Sequence, residues 1–192
     1  MRNTTLVSNF FILTTFAIVL SLIGIFVLDR KSVRIVSLEG ADIKLHHLTS
    51  DAKREIACLA ENIYFEVAYE PEVGQLAVAF VTMNRVKSGK FPDTICGVVK
   101  QKTGPTCQFS WWCETKPYVM STNHVLTRNN NPVYNRIQDM AVNFYLNHDR
   151  MKDPSKGALY YHADYVNPGW KLPKNIQIGR HIFYGDKNGR YI

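Results

Sequence analysis

Glu66 is a lone acid among aromatic side chains. The stretch Asn62-Ile-Tyr-Phe-Glu66-Val-Ala-Tyr-Glu70-Pro71 sets it between Tyr64, Phe65 and Tyr69, near the end of a run with helical apolar spacing. A carboxyl packed against such neighbours loses hydration, which disfavours its ionised form and leaves it protonated near neutral pH. A protonated carboxylic acid is the reagent that glycosidic bond cleavage requires. An ordinary glycosidase adds a second carboxylate, about 5–5.5 Å away when retaining and about 6.5–9.5 Å when inverting. Glu70 lies one helical turn further on and reaches such a position only if the helix continues to it. Pro71 argues for a break there, so Glu66 is expected to act alone. Glu70 then either contacts substrate or sits at the positive end of the next helix.

Further candidates lie towards the C-terminus. Tyr160, Tyr161, Trp170 and Tyr184 have the chemistry of walls against sugar rings, although aromatic residues in short strands also build cores. His162 and His181 each sit among aromatics, but without a His-Glu-x-x-His pattern they do not make a zinc site, and no metal or cofactor is expected. Gln108 and Ser110 offer hydrogen bonds to acetamido groups or cap an ordinary loop. The four cysteines, Cys58, Cys96, Cys107 and Cys113, contain no Cys-x-x-Cys pair. They allow two disulfides in any of three pairings, and buried free thiols stand as the alternative.

The elements that must hold these groups follow from periodicity and punctuation. Residues 50–68 are expected to form a helix, capped by Thr49, Ser50 or Asp51, with Ile56, Leu59, Ala60 and Ile63 on its core face. Pro71 ends it and suits the entry of a second helix, whose stripe of Val73, Leu76, Ala77, Phe80, Val81 and Val86 runs to Ser88-Gly89. Residues 87–113, punctuated by Gly89, Pro92, Gly97 and Gly104-Pro105, are expected to be irregular. A third helix is predicted over 133–146, with Ile137, Met140, Ala141 and Phe144 inward. Short strands and turns are predicted over 158–163, 165–170 and 178–184.

The chain has 192 residues, 46% hydrophobic and 20% charged, which fits one compact domain with an appendage. The appendage is residues 10–28, FFILTTFAIVLSLIGIFVL, which carry no charge. At about 1.5 Å per residue, a helix of that length nearly matches a hydrocarbon core of about 30 Å. It lacks a small-x-small cleavage site and ends in bulky residues, so it reads as an uncleaved signal-anchor in contact with membrane lipid. Residues 1–9 are then a short N-terminal segment, 29–47 a linker, and 48–192 the globular domain. Arg30, Lys31 and Arg34 follow the span, so the flanking charges do not by themselves favour an exported C-terminus. The net charge of +7 suits polyanions. Nucleic acid is not an expected partner, since no helix-turn-helix, zinc-finger or RNA-binding motif is present. Anionic lipid and a carboxylate-rich cell wall fit better.

Six blocks together resemble the cell-wall hydrolase family typified by the spore-cortex-lytic enzymes. They are Asn62–Pro71 as quoted above, Gly74-Gln-Leu-Ala-Val-Ala with Asn84-Arg-Val, Phe91-Pro-Asp-Thr-Ile-Cys-Gly-Val-Val, Cys107-Gln-Phe-Ser-Trp, Tyr160-Tyr-His-Ala and Ile178-Gly-Arg-His-Ile-Phe-Tyr. The resemblance implies an α+β fold: a small helix-rich domain, similar to lysozyme and lytic transglycosylases, with a minor β-sheet and here preceded by one transmembrane helix. It implies action on peptidoglycan glycan strands on the periplasmic or extracytoplasmic side, with Glu66 as the catalytic acid. The family's Glu-Ala-Arg-Gly-Glu becomes Glu66-Val-Ala-Tyr-Glu70, which keeps both acids and changes the residues between them. A lytic transglycosylase is the expected chemistry. A hydrolytic muramidase, a zinc-dependent wall amidase and a noncatalytic wall-binding protein are the other readings.

Overall fold

Thr49 accepts the Ala52 N–H on its side chain at 3.2 Å, which caps helix α1, Ser50–Val67. The computed structural model describes residues 48–114 and 130–186. The expected membrane span at 10–28 and linker at 29–47 lie outside the described residues. Among the described residues, no helix is long and apolar enough to cross a membrane.

Helix α1 is more deeply enclosed than a single apolar stripe predicts. Every residue from Ile56 to Ile63 is buried, Glu61 and Asn62 included. The cause is packing on several sides, by α2 (Glu72–Lys87), α3 (Ile95–Val99) and α5 (Pro132–Asn147). Helix α2 enters at Pro71 as expected, but Val73 is 47% exposed, so the buried face begins a residue later at Gly74. The corner between α1 and α2 is closed by the fully buried Gln75. Its Nε2 donates to the carbonyls of Val67, Ala68 and Glu70 at 3.2, 2.9 and 3.0 Å, satisfying groups a helix end leaves open. Arg136 Nη1 in turn donates to Gln75 Oε1 at 3.1 Å.

The stretch expected to be irregular contains two short helices, α3 and α4 (Ser110–Glu114), and the hairpin β1 (Lys102–Thr103) and β2 (Thr106–Cys107). Each helix has five residues, too few for periodicity to register. The cysteines form the disulfides Cys58–Cys96 and Cys107–Cys113, leaving no free thiol. The first fastens α3 to α1, and the second closes β2 onto α4.

Asn131 caps α5, its Oδ1 accepting the N–H groups of Val133 and Tyr134 at 3.0 and 3.1 Å, with Pro132 at the first helical position. The C-terminal part is an antiparallel sheet in the order β3 (Tyr160–Ala163), β5 (His181–Tyr184), β4 (Lys174–Ile178). Residues 165–170 form no strand, and 178–184 contain the turn of a hairpin instead of one strand. Register pairs Tyr160 with Tyr184, Tyr161 with Phe183, His162 with Ile182 and Ala163 with His181. Because strand side chains alternate, Tyr161, Phe183 and His181 share one face and Tyr160, His162 and Tyr184 the other. Phe183 is fully buried, so the first of these faces is the one turned to the helices. The result is α+β and helix-rich with small sheets.

Candidate active site

Glu66 sits in the last turn of α1, half-buried, where the helix approaches β3. Tyr161 Oη donates to Glu66 Oε2 at 2.9 Å. Burial pushes the Glu66 pKa up, while the tyrosine hydrogen bond and the Arg85 charge pull it down, and burial wins. Burial and the neighbouring Glu66 push the Tyr161 phenol well above its ordinary value, so it remains a donor at any physiological pH. With Oε2 occupied as acceptor, a protonated Glu66 carries its proton on Oε1, the oxygen Tyr161 leaves free.

The enclosure differs from the one the local sequence predicts. Tyr69 is 89% exposed. Phe65 stacks on Trp111 at 4.6 Å, and Tyr64 meets Tyr134 edge-on at 5.3 Å and accepts from Asn131 Nδ2 at 2.8 Å. The groups that set the Glu66 environment come instead from β3 and α2, distant in sequence.

Glu70 is not on the same helix as Glu66, because α1 ends at Val67. Its Oε2 accepts the Arg180 N–H at 3.2 Å, and its Oε1 lies 3.9 Å from His181 Nδ1. The carboxylate thus bridges the α1–α2 corner to the β4–β5 turn. Gly179 has φ +55°, and a Cβ there would run into Glu70 Oε2, so both the backbone and the contact require glycine. His181 also meets the Tyr161 ring edge-on at 5.7 Å, and burial lowers its pKa, which favours the neutral imidazole.

The predicted aromatic wall divides in two. Tyr161 and His181 lie on the Glu66 side of the sheet. Tyr160, His162 and Tyr184 occupy the opposite face, covered by Trp170, whose ring centroid is 5.9, 5.5 and 5.9 Å from theirs and which is itself 42% exposed. His162 is stacked on Tyr184; its Nε2 is 2.9 Å from Tyr184 Oη and its Nδ1 2.8 Å from Ala163 O, so both ring nitrogens are engaged. Among the described residues no group of three or more His, Cys, Asp or Glu is placed to hold a metal ion. Gln108 and Ser110 are exposed on the loop closed by Cys107–Cys113. That loop docks on α1 through Trp111, whose Nε1 donates to Asn62 Oδ1 at 3.3 Å.

Two groups have no role in the sequence reading. Arg85, within the quoted Asn84-Arg-Val block, is 3% exposed and acts electrostatically on Glu66. Glu61 is 1% exposed, with its pKa raised to about 7 by burial. Its position five residues before Glu66, inside an apolar run, was the available signal.

A family model described as Cell Wall Hydrolase matches residues 69–184. The chain is similar to spore cortex-lytic enzymes, with 32% identity over 135 residues to that of Oceanobacillus iheyensis, covering 69% of this chain and 42% of the relative. The enzyme of Bacillus subtilis strain 168 is 30% identical over 139 residues, 69% of this chain and 38% of the relative. The solved catalytic domain of the germination-specific lytic transglycosylase SleB from Bacillus anthracis is 31% identical, with a TM-score of 0.50, over 68% of this chain and 93% of that one. The Bacillus cereus SleB catalytic domain has the same identity and TM-score over 89% of its length. This chain belongs to the cell wall hydrolase family. It spans less than half the length of these curated relatives. The family match starts at Tyr69, three residues past Glu66.

Proposed function

We propose that the domain cleaves peptidoglycan glycan strands between N-acetylmuramic acid and N-acetylglucosamine as a lytic transglycosylase, with Glu66 as general acid and then base. The observation that carries this reading is the Glu66–Tyr161 pair: a carboxyl whose proton burial holds more tightly than usual, oriented by a phenol that stays protonated at physiological pH. Glu66 gives its proton to the glycosidic oxygen as the bond from muramic C1 breaks. The muramic 6-hydroxyl then attacks C1 and returns its proton to Glu66, closing a 1,6-anhydro ring. Hydrolysis instead needs a carboxylate to activate water, and Glu70 is engaged with Arg180 and His181. The 6-hydroxyl has the advantage of proximity, being part of the reacting sugar. Tyr161 contacts the acid and His181 packs against Tyr161, while Gln108 and Ser110 are exposed and free to meet acetamido or peptide groups.

Residues 10–28 are proposed as the membrane anchor, with the catalytic domain outside the cytoplasm where the polymer lies. A reporter fused after Tyr191 tests that orientation. For the chemistry, mass spectrometry of glycans released from purified peptidoglycan is expected to find muramic ends lighter by one water, and Glu66→Gln to abolish release without unfolding. Predominantly reducing muramic ends would refute transglycosylation in favour of a muramidase. Free stem peptides with intact glycan would refute both in favour of an amidase, and wild-type release by Glu66→Gln would remove Glu66 from the mechanism.

A further inference from the structure

Arg85 projects from the last turns of α2 into the space beside β3. Its Nε donates to Leu159 O at 2.7 Å, while the preceding Asn84 donates through Nδ2 to Ala158 O at 3.2 Å and Asp153 Oδ2 at 3.0 Å. Adjacent residues of α2 thus hold adjacent carbonyls of the chain leading into β3, the strand that brings Tyr161 to Glu66. The Arg85 guanidinium carbon lies 4.9, 5.3 and 5.9 Å from the ring centroids of Phe91, Phe109 and Tyr160. Aromatic faces attract a cation and exclude water from it.

What this enclosure lacks is an anion. Arg85 Nη1 is buried with no hydrogen-bond partner, and among the described residues no carboxylate forms an ion pair with the guanidinium. A buried cation without a counter-charge is unfavourable, and aromatic contacts offset that in part. Glu66 is the carboxyl whose charge acts on Arg85, and each stabilises the ionised form of the other. Burial raises the Glu66 pKa and so disfavours its carboxylate form, and the attraction is absent while the acid holds its proton.

We propose that Arg85 is a positioning residue for the proton cycle of Glu66: a buried cation left short of a counter-ion until Glu66 becomes a carboxylate. The inference rests on Glu66 being the general acid. When Glu66 gives its proton to the glycosidic oxygen and the C1–O bond breaks, negative charge appears on the carboxylate in a site sheltered from water. Arg85 then acquires the anion it lacked, a gain present after proton transfer and absent before it, which is the kind of interaction that lowers a barrier. Attack by the 6-hydroxyl returns the proton to Glu66, and Arg85 reverts to its unpaired state. Through Leu159 the same side chain also sets the approach of β3, and hence of Tyr161.

The test is the pH dependence of kcat/KM on purified peptidoglycan, measured with the full chain. Activity requires protonated Glu66, so the alkaline limb reports its pKa in the free enzyme. Arg85→Met and Arg85→Gln remove the charge and are expected to move that limb up by about one pH unit. They are also expected to lower plateau kcat roughly 10-fold or more. Arg85→Lys, with a displaced charge and no fork, is expected to place the limb between wild type and the neutral variants. Near-UV circular dichroism establishes which variants fold; if Arg85→Lys alone folds, its limb decides. Limbs coincident with wild type in the folded variants would overturn the proposal, whatever the loss of activity, because a purely structural role lowers activity without moving them. Failure of all three variants to fold would assign Arg85 to the core and overturn it too. Reducing ends among the wild-type products count against transglycosylation but leave this test standing, since it requires only that Glu66 be the acid.

Discussion

Replacing Glu61 by Gln should stabilise the domain at alkaline pH and leave it unimproved in mild acid. Glu61 lies in the middle of α1, 1% exposed, and its Oε2 has no hydrogen-bond partner. Burial raises its pKa from 4.5 to about 7 against the opposing pull of Lys100. The adjoining Tyr134 phenol is pushed up to about 12, by its own burial first and by the Glu61 charge next. A carboxyl whose pKa is higher in the folded than in the unfolded state binds its proton more tightly when folded. Its stabilising protonation is fully present below pH 4.5 and is lost as pH rises through about 7. At about 1.4 kcal/mol per pH unit over that interval, the ionised side chain costs the native state about 3 kcal/mol at alkaline pH. A glutamine has the same shape and no charge, but its amide brings a donor that itself wants a partner, which offsets about 1 kcal/mol. The net gain of about 2 kcal/mol corresponds to a rise of roughly 4–8 °C in the thermal midpoint at about pH 8. At about pH 5, where Glu61 is mostly neutral in the folded state, Glu61→Gln should be no more stable than wild type. Differential scanning calorimetry of both proteins across pH 5–8 measures this, and other titrating groups cancel in the difference. Midpoints running parallel with pH would refute the assignment of a raised pKa to Glu61.

Two further outcomes follow from the contacts around the acid. Tyr161→Phe removes the donor to Glu66 Oε2; a hydrogen bond to a charged group contributes about 1.5–3 kcal/mol, so kcat should fall roughly 10- to 100-fold. The alkaline limb should move to higher pH, since that hydrogen bond holds the Glu66 pKa down; a limb at or below the wild-type position would contradict it. Gly179→Ala forces a side chain into a positive-φ position against Glu70, so calorimetry should show a loss of about 1–2 kcal/mol or more, and an unchanged midpoint would detach Glu70 from the turn.

What the sequence alone determines is what neighbours within a turn or two decide. One of Thr49, Ser50 and Asp51 caps a helix, Pro71 separates two of them, and the spacing of Ile56, Leu59, Ala60 and Ile63 marks a core face, because capping and periodicity act over three or four residues. Glu66 is legible for the same reason, as an acid in an apolar helical run. Its environment is not legible, since Tyr161 and Arg85 reach it through strand pairing and helix packing, neither of which leaves a local pattern. Burial on several sides turns Glu61 from an apparent surface acid into a buried one. Strand alternation separates Tyr161 and His181 from Tyr160, His162 and Tyr184, which look equivalent along the chain but lie on opposite faces once β3 and β5 pair. The Cys58–Cys96 pairing depends on the same distant packing: the two meet because α3 docks on α1, and the spacing of four cysteines along the sequence carries no record of that approach.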